Sequence, residues 1–148
     1  MSWSAHVTVA AIVERDGRFL LVEEETADGL RFNQPAGHLD EGESLVEACT
    51  RETLEETAHR FTPEQLIGIY QWPRPGGEIT YVRFAFSGTL GEQVVGRALD
   101  AGILRAVWMT RDEIAATQSR HRNPLVLRCV DDYLAGQRYP LDLIRHYD

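Results

Sequence analysis

The sequence predicts an α/β fold in which a mixed β-sheet is sandwiched between α-helices, in one domain spanning residues 1–148. Three observations lead there. Alternating apolar stretches that read as strands are interrupted by helical stretches. Their order is strand, strand, short strand, helix, three strands, helix, helix. Tight turns join successive strands as hairpins, which argues against a purely parallel sheet. The chain is 43% hydrophobic and 26% charged, a globular mix, and is long enough to bury a core without staples.

Each element has a local reason. His6 to Glu14 carries few polar residues and reads as a largely buried strand. Arg15-Asp16-Gly17-Arg18 is a turn, because Asp-Gly accepts the left-handed geometry of a tight hairpin. Phe19 to Glu25 returns as a strand, Ala27-Asp28-Gly29 turns again, and Leu30 to Gln34 is a short extended piece held open by Pro35. Gly37 to Gly42 reads as a glycine-bounded loop. Ser44 and Glu47 stand at the spacing of a capping box, so a helix runs from there to about Thr57. Pro63 starts a new element, and Leu66 to Trp72 is strand-like. Pro73 to Gly77 is a hard turn, and Ile79 to Leu90 alternates best of all. Gly91 to Gly102 holds no convincing element. Ile103 to Met109 is a strand, and Thr110 with Glu113 caps a short helix. Pro124 opens a last helix that Gly136 closes, and the tail after it is expected to pack back on the body.

Charge narrows the function. Fifteen basic and twenty-three acidic residues leave a net charge of −8, which argues against a nucleic-acid or anionic-membrane surface. All the basic residues are arginine. Schiff-base and P-loop chemistry both need a lysine and are excluded. Cys49 and Cys129 lie in no zinc pattern and read as buried thiols of a reducing compartment. The N-terminus has no signal-peptide pattern and no apolar run reaches membrane length, so a cytoplasmic location is expected. A monomer or small homo-oligomer is the expected assembly.

Between Gly37 and Ala58 stand seven of the acids, with Arg51 as the one base among them. On a helix Glu52, Glu55 and Glu56 share an arc of about 100°. Like charges so close repel, and Arg51 reaches only some of them. Two readings stand side by side: a solvated acidic helix face, or a cradle for a hard divalent cation such as Mg²⁺ or Mn²⁺.

The stretch GHLDEGESLVEACTRETLEETAH resembles the box of the Nudix hydrolases. Gly37, Glu43, Arg51-Glu52 and Glu55-Glu56 keep its spacings. Thr53, Ala58 and His59 depart from it, and none of these removes a charged group. The resemblance implies a Nudix fold, an α/β/α arrangement, and hydrolysis of diphosphate linkages dependent on Mg²⁺ or Mn²⁺. It implies Glu55 and Glu56 as metal ligands, with the backbone carbonyl of Gly37, and Glu52 as a further ligand or the base that orients the attacking water. Arg51 would position the carboxylates Glu52 and Glu43. Flanking strings such as NQPAGHLDEGESLVEA and GQRYPLDLI are similar to the NudJ group of phosphatases within that family. That likeness implies a small phosphorylated substrate, a nucleoside di- or triphosphate or hydroxymethylpyrimidine pyrophosphate, with release of orthophosphate. The alternatives are a Nudix pyrophosphatase that yields nucleoside monophosphate and pyrophosphate, or an inactive nucleotide-binding module.

Further residues are candidates for holding substrate. His6 opens the first strand and His38 follows the box glycine. Gln34 precedes Pro35 and orients the loop. Trp72 ends its strand at a loop, where an indole can stack on a base. Arg120 and Arg122 form a local basic patch suited to distal phosphates. Aromatic residues of the sheet read as core by default, with Trp72 the exception, and Glu23-Glu24-Glu25 reads either as a solvated rim or as aimed partly at a cleft.

Overall fold

The computed structural model describes residues 2–148. The chain runs β1 (Ser4–Ile12), β2 (Glu14–Arg15), β3 (Arg18–Thr26), β4 (Gly29–Asn33), β5 (Ala36–His38), α1 (Leu45–Thr57) and β6 (His59–Pro73). It continues through β7 (Ile79–Gln93), β8 (Ile103–Thr110), α2 (Arg111–Ala116), α3 (Leu125–Leu134) and β9 (Tyr139–Pro140). The expected mixed sheet between helices is present, with its strands divided into two hydrogen-bonded sheets. One has the order β5-β1-β7-β6-β9, with β1 and β7 parallel and the other pairs antiparallel. In the other, β3 pairs with β8 on one side and with β4 and the short β2 on the other.

The Asp-Gly hairpin forms as expected: Asp16 and Gly17 both have positive φ, 51° and 79°. It joins only β2 to β3. The first strand itself leaves this hairpin at Val13 and pairs with β5 and β7 instead.

Side chains of successive strand residues point to opposite faces, and each face meets its own helix. Val9, Leu20, Phe61 and Phe86 pack with Ala48 and Cys49 of α1. Ile12, Leu21, Ile67 and Ala85 pack instead with Ile114 of α2 and Val126 of α3. Both cysteines are free and buried, in agreement with the sequence reading. The tail does pack back. Tyr139 and Pro140 pair with β6, and Leu141 and Ile144 cover the α1-side core. Among the described residues no helix is long and apolar enough to cross a membrane.

Three boundaries differ from expectation. Ala36–His38, expected to run into a loop, is a strand on the edge of β1. β6 begins at His59, well before Leu66, and β7 runs on to Gln93. Pro63 sits within β6 where the register shifts, which is how a strand tolerates a residue with no N–H. α1 and β6 are joined by one residue, Ala58, with φ 60°. A left-handed alanine costs roughly 1–2 kcal/mol relative to glycine. Its N–H bond to the Leu54 carbonyl at 2.9 Å partly offsets that cost.

Candidate active site

The start of α1 is secured by the capping box read from the sequence. The Ser44 hydroxyl accepts from the Glu47 N–H at 3.1 Å, and the Glu47 carboxylate accepts from the Ser44 N–H at 2.9 Å. Thr53 faces the core, and its neighbours Glu52 and Glu56 lie on the helix flank beside β5, against Gly37 and Ala36. Arg51 binds them together. Its Nε and Nη2 donate to both oxygens of Glu43 at 3.0 and 2.7 Å, a fork that matches a carboxylate. Its Nη1 donates to Glu52 at 2.6 Å and to Glu55 at 2.8 Å. Nη2 also reaches the His38 carbonyl at 3.0 Å, which ties α1 to β5. This arginine holds Glu43 well below the usual carboxylate range.

Arg51 does not reach Glu56. That carboxylate is buried, accepts one hydrogen bond from the Ala36 N–H at 3.0 Å, and has the charges of Glu52, Glu24 and Asp100 around it. Burial pushes its pKa up to about 9. Burial also raises Glu52, against the opposing pull of Arg51. Gly37 is the reason Glu52 can sit where it does. A Cβ at position 37 would fall 2.1 Å from the Glu52 carboxylate, so only glycine admits it.

Gly37, Glu52 and Glu56 border a cavity of about 1040 Å³. Its other walls include Trp72, Tyr81, Arg83 and Arg122. The Trp72 and Tyr81 rings stack, 6.0 Å apart and 16° from parallel. His38 lines the cavity, and behind it His6 shares a hydrogen bond between Nδ1 and His38 Nε2 at 3.0 Å. Burial, with His6 and Arg122 nearby, holds His38 below the usual imidazole range.

Several expected residues are placed elsewhere. Gln34 does not face the cavity: it is 1% exposed, and its amide donates to the Val126 carbonyl at 2.7 Å. Arg120 is not part of a free basic patch. It pairs with Glu23 and lies over the Phe32 ring, 4.6 Å from its centre. Arg122 does border the cavity but is matched by Glu24 at 3.1 Å. The acidic run at the end of β3 thus neutralises the basic loop, with Glu23 held further by Arg105 at 2.8 Å. Glu55 lies on Arg51 and off the cavity wall. Among the described residues no three acids, histidines or cysteines converge as a ready metal cage. Arg51 draws Glu52 and Glu55 to itself while Glu56 turns to Ala36. Arg83 went unread in the sequence, because a single arginine in an apolar strand carries no local signal.

A family model described as the NUDIX domain matches residues 4–129, which takes in α1 and the whole acidic cluster. The chain belongs to the Nudix family. It is 39% identical over 143 residues to phosphatase NudJ of Escherichia coli K12, covering 97% of this chain and 92% of that protein. It also resembles the solved structure of a NUDIX hydrolase from Nitrosomonas europaea, with 52% identity, a TM-score of 0.94 and coverage of 97% and 98%. The MutT NUDIX hydrolase of Burkholderia pseudomallei shares the fold at 17% identity, with a TM-score of 0.74 over 87% of this chain and 98% of that one. The protein is therefore a Nudix hydrolase, an enzyme that hydrolyses nucleotide- or pyrophosphate-like substrates.

Nudix enzymes are generally Mg²⁺-dependent, and the donor set here fits such an ion. Glu56 is buried, has a raised pKa and no positive partner, and Glu52, half-buried and shared with Arg51, lies directly against the Gly37 backbone.

Proposed function

We propose that this Nudix hydrolase cleaves diphosphate linkages in nucleoside tri- and diphosphates, or in thiamine-related pyrophosphates such as hydroxymethylpyrimidine pyrophosphate, and releases orthophosphate. The observation that carries the reading is that half-buried Glu52, set against Gly37, and buried Glu56, held on the Ala36 N–H, lie together on the wall of a large cavity. The name of the 39% identical relative, a phosphatase, supports orthophosphate as the product.

Glu52, Glu55, Glu56 and the Gly37 carbonyl would hold Mg²⁺ or Mn²⁺. Such an ion, when bound, offsets phosphoryl charge and lowers the pKa of water. The chain's own residues set the geometry. Arg51, anchored on Glu43 and the His38 carbonyl, holds Glu52 at the cavity edge. Where Glu52 serves as the base rather than as a ligand, it would orient the attacking water and accept its proton, and its raised pKa brings it nearer the working pH of a base. Trp72, with Tyr81 stacked against it, offers a flat apolar surface to a heterocycle. His38, braced by His6, and Arg122 face the same space and suit phosphate oxygens.

Product analysis tests this. With a nucleoside triphosphate and Mg²⁺, orthophosphate and nucleoside diphosphate are the expected first products. Pyrophosphate with nucleoside monophosphate would move the protein to the pyrophosphatase reading. No turnover across a panel of nucleotides and thiamine-related pyrophosphates would overturn the proposal.

A further inference from the structure

Arg83 is buried, with 3% of its surface exposed, yet it lies on the cavity wall. Its Nη1 donates to the Gln34 amide oxygen at 2.8 Å and its Nη2 to the Asn33 amide oxygen at 2.9 Å. Gln34 is itself anchored on the Val126 carbonyl, so the guanidinium is held rigidly. Both partners are neutral. Its other neighbour, the Cys129 thiol, is buried and held protonated by desolvation. The remaining arginines with carboxylate partners form ion pairs elsewhere; among the described residues no carboxylate pairs with Arg83. A buried charge without a counterion is costly, and guanidinium donors left over after two bonds are suited to an anion.

Its position in the sheet gives it a distance. Thr8 of β1 pairs with His38 of β5 on one side and with Arg83 of β7 on the other. Two strand spacings, about 10 Å, therefore separate the backbone at Arg83 from that at the end of β5 where Gly37 and Glu52 meet. Three other arginines border the cavity. Arg122 is matched by Glu24, and Arg31 and Arg74 are more exposed than Arg83.

We infer that Arg83 is the receptor for a phosphoryl oxyanion of the substrate, the phosphoryl group remote from the Glu52–Glu56 end of the cavity. The inference rests on reading the cavity as the hydrolase site, and it adds the residue that selects for a second anionic group. Asn33 and Gln34 are its positioning residues. They accept from the guanidinium without neutralising it, which leaves its charge for the ligand.

Two variants test it. R83K keeps a charge but loses the fork. N33D is nearly isosteric and places a carboxylate where the amide oxygen now accepts from Arg83, so it neutralises the receptor without removing it. Binding of a nucleoside diphosphate and of the same nucleoside without phosphate is measured by calorimetry with chelator present, and KM and kcat with Mg²⁺. Thermal melts confirm folding. The expected result is nucleoside diphosphate binding weakened about tenfold or more in both variants, nucleoside binding unchanged, and KM raised with kcat within about threefold. Unchanged diphosphate binding in folded N33D overturns the inference, and this variant decides alone if R83K does not fold. A loss that follows the base and ignores the phosphate overturns it too, as does a wild-type chain that binds the diphosphate no better than the nucleoside. Phosphate-dependent binding without turnover would instead spare Arg83 and count against the hydrolase reading.

Discussion

At the scale of the residue, Glu56 is the side chain whose surroundings fit it least when it is charged. Its pKa stands at about 9 in the folded chain and near 4.5 when unfolded. The folded state therefore binds a proton that the unfolded state releases. The stability linked to that proton is fully present below pH 4.5 and is lost as pH rises through 9. E56Q keeps an oxygen for the Ala36 N–H but carries no charge. With chelator present, its melting temperature should match or exceed that of the wild type at pH 8, and should fall less between pH 6 and 9. Its turnover should drop about a hundredfold or more, since the proposed ligand charge is gone. Parallel melting curves against pH for the two proteins would show that another group titrates. Position 83 shows the opposite case, a charge whose neutral partners keep it available.

At the scale of the element, α1 aligns the acidic cluster, and its N-terminal cap is one of its fastenings. S44A should cost about 1 kcal/mol of stability, read as a lowered melting temperature, with KM little changed because no acid of the box moves out of reach. A cost near zero would mean that Arg51, through Glu43 and the His38 carbonyl, holds the helix start by itself. The sequence made such local devices readable. Both capping boxes, the Asp-Gly hairpin and the helix bounds depend on residues three or four apart. Features that depend on distant partners were not readable. β5 becomes a strand only because β1 offers it an edge, and the first half of β6 only because β7 runs past Leu90 to meet it. The site divides in the same way. The carboxylate contacts of Arg51 follow from its own helix and the loop just before it. Arg120 and Arg122, by contrast, find Glu23 and Glu24 almost a hundred residues away, so their neutralisation left no trace in the local pattern.

At the scale of the whole molecule, a chain of net charge −8 must accept a polyanion. The net charge opposes its approach, so local positive groups such as Arg83, together with bound cations, are expected to offset it. Mg²⁺ should raise the melting temperature, because an ion that binds the folded state alone stabilises it in proportion to RT ln(1 + [L]/Kd). The rise should be larger at pH 8 than at pH 6, where Glu56 holds a proton that competes with the ion. Chelator should remove both the rise and the turnover. A melting temperature indifferent to Mg²⁺ at either pH would count against the carboxylates as its ligands.

The pairing of β5, β1 and β7 carries one more consequence. The row His38, Thr8, Arg83 is aligned by main-chain hydrogen bonds, to which side-chain identity contributes little. The backbone thus works as a fixed gauge across the cleft. Substitution at His38 or Arg83 would exchange the group mounted on it, while the interval between the two ends of the gauge stays the same.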